Sequence, residues 1–301
     1  MGQLEDMQAF VRVVEAGSIS HAADQLGVTK SAVSRRLSEL EARLGTTLLK
    51  RTTRSSSLTD AGQRYYERSL LVIDDVAELN AITAGNDNAL SGTLRLAAPL
   101  SFGLSHLSPA IDIFARKHPD LTIRINFSDR QIDLVQEGVD LAFRIAELKD
   151  SSLKARKITS IKLMLCASPD YLKRQGSPQT PENLKKHQLL NYDSSGSVLP
   201  WRLLDSKGQE HIVHPEAKII ANNGDFLRDM SIAGHGIFIS PTFISWEALA
   251  KGKLVQVLPD YRIPSINAYA VYPQTRYLPQ RARSFIDFLV RRFGENPYWD
   301  Q

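Results

Sequence analysis

Four side chains near the start of this 301-residue chain share a helical face and a chemistry suited to hydrogen bonding with a flat edge. Ser31, Ser34, Arg35 and Ser38 recur at i, i+3, i+4 and i+7, the spacing that stacks side chains on one stripe of an α-helix. A solvated helix face normally carries long Glu and Lys side chains, whereas short hydroxyls interleaved with arginine suit close approach to another surface. Laid in the major groove of DNA, such a face can read base edges. Lys30 and Arg36 flank the stripe, and Thr29 stands where the helix needs an N-cap. Beyond it, Thr47–Thr59 gives two short extended runs around a basic, hydroxyl-rich tip. This reads as a β-wing whose Arg51 and Arg54 suit phosphates, which fix register without carrying sequence information.

The charge distribution agrees with a polyanion partner. Met1–Thr29 holds one basic residue, Arg12, against Glu5, Asp6, Glu15 and Asp24. Lys30–Arg54 holds Lys30, Arg35, Arg36, Arg43, Lys50, Arg51 and Arg54 against Glu39 and Glu41. The small domain is therefore polarised, with one face that a nucleic acid would meet.

Local signals place the helices that must position this face. Leu4, Met7, Phe10, Val11 and Val14 give an amphipathic first helix stopped by Gly17. Ser18 caps a short second helix carrying Ile19, Ala22, Ala23 and Leu26, and Gly27 makes the turn. The third helix runs from Thr29 to about Leu44, with Val33, Leu37, Leu40 and Leu44 on its apolar stripe and Gly45 closing it. Thr59 or Asp60 caps a long helix to about Ala84. In it Tyr66, Leu70, Ile73, Ala77, Ala81 and Ala84 form a seam that predicts pairing with another helix.

From Gly92 onward, short apolar strands alternate with helices: Thr93–Ala97, Ser105–Lys117, Thr122–Phe127, Gln131–Glu137, Asp140–Ile145. That alternation predicts an α/β domain with a largely parallel sheet. A second group of strands, Ile161–Ala167 and Lys218–Ala221, precedes a helix from about Asp225 to Ala233. The strand Ala268–Tyr272 and the helix Arg281–Phe293 close the chain.

The combination of Phe10–Ser18, Ala22-Ala23, Ser31–Arg35, Leu40-Glu41, Leu44-Gly45, Leu48-Leu49, Arg51-Thr52 and Leu58-Thr59 resembles the N-terminal domain of LysR-type transcriptional regulators. Later matches, among them Gly92–Arg95, Gly138–Ala142, Ala167–Leu172 and Phe285–Leu289, extend the resemblance over the whole chain. It implies an α/β chain overall: a mostly α winged helix-turn-helix over 1–59, then a linker (dimerisation) helix and hinge over 60–88. An effector-binding domain over 89–301 then resembles type 2 periplasmic binding proteins. Its subdomain I spans about 89–162 and 265–301, and its subdomain II about 163–264. It also implies a homodimer through the linker helix, commonly a homotetramer, that binds double-stranded DNA at an imperfect inverted repeat. RNA polymerase is a further candidate partner. Carried over residue by residue, base contacts fall on Lys30, Ser31, Ser34 and Arg35, and phosphate contacts on Thr29, Arg51 and Arg54. Where many members have Gln or Ser followed by Pro at the start of the reading helix, this chain has Lys30-Ser31. The preferred operator therefore cannot be copied from a relative. Arg35 reads a base or holds a phosphate; Arg36 holds a phosphate or a salt bridge.

In the effector-binding domain, Pro99-Leu100-Ser101-Phe102 follows the first strand and opens a helix, so free N–H groups and the Ser101 hydroxyl offer an anion site, unless Ser101 is only a cap. The resemblance places an effector cleft between the subdomains, lined by this turn and by Ser128, Phe143, Arg144, Asn223 and His235. Arg144 pairs with an effector carboxylate or with a structural acid. The expected effector is a small organic or aromatic acid.

Other chemistries have little support. Hydrophobic residues at 43% and charged residues at 23% describe an ordinary globular protein. The single cysteine, Cys166, excludes an intramolecular disulfide framework, and its apolar strand reads as core, with a redox sensor as the alternative. Gly234-His235-Gly236 lacks the third glycine of a dinucleotide loop. No H-E-x-x-H, Cys/His cluster or nucleophile elbow is present, so neither metal, other cofactor nor catalysis is expected. The N-terminus lacks a signal peptide's basic start and apolar run, and no segment reads as a membrane span, so the expected location is the cytoplasm. The rival readings are a non-specific architectural DNA-binding protein and a solute-binding or enzymatic α/β protein.

Overall fold

The computed structural model describes residues 2–51, 56–83, 90–130, 132–146, 153–193, 200–274 and 278–301. The chain divides into two compact units. One comprises Met1–Thr93, Asp120–Thr122 and Val135–Gly138; the other comprises Leu94–Pro119, Ile123–Leu134 and Val139–Gln301.

The first unit is built on three helices, α1 (Gln3–Ala16), α2 (Ile19–Leu26) and α3 (Lys30–Leu44). Each ends on a glycine with positive φ: Gly17, Gly27 and Gly45. Such a left-handed residue lets the chain reverse at once. The starts of α2 and α3 are capped as their sequences predict. Ser18 Oγ accepts from the His21 N–H at 3.2 Å, and Thr29 Oγ1 from the Ala32 N–H at 3.3 Å. Phe10, Val13, Ala22, Val33, Leu37 and Leu40 meet in one buried core. Truncating Leu37 or Leu40 to alanine is expected to cost about 2–5 kcal/mol.

Two short strands, β1 (Leu49–Arg51) and β2 (Ser56–Leu58), pair antiparallel with Leu49 opposite Leu58. Glu41 holds them to α3, its Oε1 accepting from the Leu48 and Leu49 N–H groups at 2.7 and 3.2 Å. Then follows α4 (Asp60–Thr83), whose start is capped by Thr59 Oγ1, which accepts from the Gly62 N–H at 2.9 Å. Tyr66, Leu70 and Ile73 pack on the same core as α1–α3. This changes the sequence expectation: the upper part of the seam is used by its own domain. Among the described side chains, the large apolar ones that α4 leaves exposed are Val72 and Leu79, seven residues apart. Ala84 and the side chain of Ala81 lie outside the described residues.

The second unit opens with β3 (Gly92–Ala98), α5 (Leu100–Phe102), a π-helical turn Gly103–Leu107 and α6 (Ser108–Lys117). Next come β4 (Leu121–Phe127), β5 (Leu141–Ala146), β6 (Leu153–Ile161), β7 (Leu163–Ala167), α7 (Pro169–Gln175) and β8 (Leu189–Tyr192). A hairpin of β9 (Trp201–Leu204) and β10 (Glu210–Val213) leads to β11 (Ala217–Ala221) and α8 (Gly224–Ile232). The chain ends with β12 (Ile237–Pro241), α9 (Thr242–Ala250), β13 (Val255–Val257), β14 (Ile266–Pro273) and α10 (Gln280–Phe293).

These strands form two five-stranded sheets, ordered β4-β3-β5-β14-β6 and β11-β8-β12-β7-β13. The chain crosses from the first to the second at Lys162 and returns between Val257 and Ile266, so each sheet defines one subdomain. The sheets are mixed rather than largely parallel. β3 pairs parallel with β5, and β8 parallel with both β11 and β12; helices lie in the connection from β3 toward β5 and between β11 and β12, whereas the β9–β10 hairpin lies between β8 and β11. β14 arrives from the other subdomain without a crossover helix and lies antiparallel to β5 and β6. Residues 134–138 form turns, where the sequence pattern predicts a helix over Gln131–Glu137. Among the described residues, no helix is long and apolar enough to cross a membrane.

Candidate functional sites

The face of α3 expected to read bases is open. Ser31 and Arg35 are exposed and Ser34 is half-buried, while Val33 and Leu37 beneath them are sealed. The Thr29 and Ser31 hydroxyls lie 3.0 Å apart, and Ser38 Oγ donates to the Ser34 carbonyl at 3.1 Å. Among the described residues Arg35 is held only by a loose exposed pair with Glu39, Nε to Oε1 3.7 Å, which adds little stability and leaves the guanidinium available. Lys30 is fully open on the first turn.

Arg36 behaves differently. Its guanidinium reaches across to α1, 3.6 Å from the Glu5 carboxylate and 3.5 Å from the Glu5 carbonyl oxygen. Of the two readings open in the sequence, the structure holds it in the salt bridge. Two turns on, Arg43 pairs at 2.7 Å with Asp6, whose carboxylate is almost wholly buried. Two of the seven cations of the basic segment are therefore spent within the domain. Leu44, placed on the apolar stripe by its spacing, is 37% exposed, so the buried stripe ends at Leu40. Arg54 and the side chain of Arg51 lie outside the described residues.

In the second unit, the C-terminal ends of the strands gather several of the expected effector residues. Turns at that edge of an open α/β sheet form the crevice where ligands bind. Ser128 N–H donates to the Ala98 carbonyl at 2.9 Å, so the ends of β3 and β4 meet beside Pro99, Leu100 and Ser101. From the other subdomain comes Asn223, at the end of β11. Its Oδ1 caps α8 by accepting from the Phe226 N–H at 2.9 Å, and its Nδ2 donates to Ser101 Oγ at 3.4 Å. Arg144 is half-buried near the end of β5, and its guanidinium has no hydrogen-bond or ion-pair partner among the described residues. Burial lowers its pKa from the ordinary arginine value.

Three expected residues lie elsewhere. Phe102 is fully buried, its ring packed on His106, Phe243, Phe293 and Trp299. Phe143 is also buried and its ring meets Phe285 of α10, because alternate residues of β5 face opposite sides of the sheet. His235 is exposed and precedes β12, whereas Asn223 follows β11. Both strands are parallel to β8, so α8 carries the chain back to the opposite end of the sheet. The glycines around His235 serve a turn: a Cβ on Gly236 would collide with the Gln188 carbonyl.

Asp129 was not singled out by the sequence, although it occupies the expected anion site. Its Oδ1 accepts from the Leu100 N–H at 3.3 Å, so the first turn of α5 already faces a carboxylate. Burial raises the Asp129 pKa, the Leu100 hydrogen bond opposes that shift, and Asp225 adds to it. The Tyr192 phenol is raised by burial and by Asp129. The available signal was position alone, a Ser-Asp pair directly after a strand.

Comparison with known proteins follows this geometry. Residues 4–63 match the family model described as bacterial regulatory helix-turn-helix protein, lysR family, and residues 87–294 match the LysR substrate binding domain. An HTH-type transcriptional regulator of Haemophilus influenzae, itself uncharacterised, is 37% identical over 280 residues, 93% of this chain and 96% of its own length. The HTH-type transcriptional regulator CrgA of Neisseria meningitidis serogroup C is 35% identical over 293 residues, 97% of each protein. The solved structure of CrgA from N. meningitidis has a TM-score of 0.62 at 34% identity, covering 97% of this chain and 99% of that one.

Proposed function

The chain belongs to the LysR family of ligand-responsive, DNA-binding transcription regulators, and we propose that it reads an imperfect inverted repeat with one α3 from each of two protomers. The observation that carries this reading is the open stripe of Ser31, Ser34, Arg35 and Ser38 above a sealed apolar stripe. Arg35 is the base reader, and Lys30 and Thr29 contact the start of the site. The wing residues Arg51 and Arg54 hold phosphates. The protomers pair through α4, where Val72 and Leu79 remain exposed, and dimers associate into a tetramer that acts on RNA polymerase in the cytoplasm. No catalytic step is part of this function.

The effector enters at the C-terminal edge of the two sheets and contacts Ser101, Asn223 and Arg144. Arg144 supports an acid, because it is a half-buried cation without an internal partner. Asp129 supports a hydroxyl or amine on the same molecule, because it presents a carboxylate beside the α5 turn. The two lie on either side of β3, two strand spacings or about 10 Å apart. A small organic or aromatic acid carrying such a donor therefore fits better than a bare carboxylate. By favouring one arrangement of the subdomains, it shifts the tetramer between two DNA-bound states.

Footprinting across the intergenic region beside its own gene tests the DNA reading. Protection of an inverted repeat is expected, and uniform weak coverage with steep salt dependence would mean an architectural protein instead. A thermal-shift screen of hydroxy and amino acids tests the effector class.

A further inference from the structure

A cavity of about 370 Å3 lies between the π-helical turn of one subdomain and α8 and α9 of the other. This falls within the size range of small-molecule pockets. It shares no lining residue with the effector residues named above. Its floor is His106, which is 1% exposed and fully engaged, with Nδ1 2.6 Å from the Tyr298 hydroxyl and Nε2 3.0 Å from the Phe243 carbonyl oxygen. A carbonyl can only accept, so Nε2 carries the proton and Nδ1 accepts from Tyr298. Burial lowers the His106 pKa, in keeping with this neutral form. The imidazole is thus a wall and not a free ligand group.

Phe243 and Trp246 supply a flat aromatic side to the cavity, and Ile232 closes it from α8. Around the rim three cations face three carboxylates, but the pairing is uneven. Arg228 is committed to Asp225 at 2.7 Å and Asp229 at 2.9 Å, and Lys251 to Glu247 at 2.7 Å. Lys253 has no acidic partner among the described residues. The site therefore combines an aromatic wall with one cation, Lys253, whose ammonium pairs with no carboxylate among the described residues.

We propose that this cavity is a second small-molecule site, separate from the effector cleft, that takes a small aromatic monocarboxylate with its ring against Trp246 and its carboxylate on Lys253. Ser105 and His106 belong to one subdomain, and the remaining lining to the other. A molecule bound here bridges the two and biases their separation independently of the cleft.

The test uses the full chain and 4-fluorobenzoate as probe, with binding followed by fluorine NMR and calorimetry. Saturable binding is expected with a dissociation constant on the order of 1 mM, as suits so small a ligand. Lys253→Glu reverses an exposed charge that holds no structural contact, and should weaken binding about tenfold or more. Ile232→Trp fills the cavity without altering charge and should abolish binding. Arg144→Gln removes any contribution of the cleft and should leave in place the component that Lys253→Glu weakens. A biphasic isotherm that loses one component in Lys253→Glu and the other in Arg144→Gln also supports the proposal. Absence of saturable binding, binding untouched by both Lys253→Glu and Ile232→Trp, or binding lost only in Arg144→Gln would overturn it. None of these outcomes bears on DNA recognition.

Discussion

The side-chain amide of Asn223 donates to the Ser101 hydroxyl at 3.4 Å, joining the N-cap of α8 to α5 in the other subdomain. The two partners are not equivalent, because Asn223 also caps α8 through the Phe226 N–H. Ser101→Ala removes one weak hydrogen bond and should lower stability by about 0.5–1 kcal/mol. Asn223→Ala loses the cap as well and should cost about 1 kcal/mol more. Thermal melts of the two variants check the order. Equal losses would mean that the cap contributes nothing.

Arg35 and Arg36 are neighbours in sequence with opposite commitments. Arg35→Ala should leave the melting curve within about 0.5 kcal/mol of the parent, yet remove about 1–3 kcal/mol of discrimination between operator and mutated operator. Arg36→Ala breaks the pairing with Glu5 and should cost a small loss of stability while leaving discrimination between operator and mutated operator unchanged. Fluorescence anisotropy on specific and scrambled duplexes at fixed salt separates the two. Equal loss on both duplexes for Arg35→Ala would make it a phosphate contact.

Why the reading helix was legible in the sequence and the cleft was not follows from how far apart the interacting residues lie. The caps at Ser18 and Thr29 and the stripe of Val33, Leu37 and Leu40 all act within a few residues, so spacing reveals them. The α4 seam was only half legible: periodicity marks Tyr66, Leu70 and Ile73 as apolar, but not that their own domain claims them. In the cleft, the α5 turn is met by Asp129, twenty-nine residues on, and nothing local announces that pairing. The resemblance places Phe143 and Arg144 together in the cleft, but adjacent residues of a strand point to opposite faces. His235 went astray because topology decides which end of a sheet a loop occupies.

Gly62 lies in the first turn of α4 against the wing. A Cβ there would fall inside the envelope of the Leu48 carbonyl oxygen and press on Leu58. That carbonyl is already fixed by the Thr59 N–H at 3.0 Å and cannot retreat freely. Alanine is the better helix former by about 1 kcal/mol, but the overpacking outweighs this. Gly62→Ala should therefore destabilise the DNA-binding unit by about 1–3 kcal/mol. Urea denaturation gives the value; a stabilised variant would show that the wing moves aside.

Asp129 should leave a mark on the pH dependence of stability. Its pKa is raised above the ordinary 3.8, first by burial and further by Asp225. The folded state then holds the proton more tightly than the unfolded chain. Stability is accordingly lost as pH rises from the ordinary carboxylate value through the folded one. Asp129→Asn keeps an acceptor for the Leu100 N–H and removes the titration. The melting temperature of the variant relative to the parent should therefore climb as pH rises above the ordinary carboxylate value and level off once Asp129 is ionised in the folded state. A constant difference would mean that Asp129 titrates normally.

Cys166 offers the last and sharpest check, because its two readings in the sequence predict opposite behaviour. The thiol is fully buried on β7, and burial pushes its pKa up to about 12. At pH 8 only about one molecule in ten thousand then carries the reactive thiolate. Native protein should not react with Ellman's reagent on the scale of minutes, and should react fully in denaturant. Under intermediate urea, labelling should follow global unfolding, because β7 lies inside its sheet between β12 and β13. Peroxide treatment should likewise leave operator binding intact. Rapid labelling of the native protein, or peroxide-sensitive DNA binding abolished by Cys166→Ser, would instead make this residue a redox sensor.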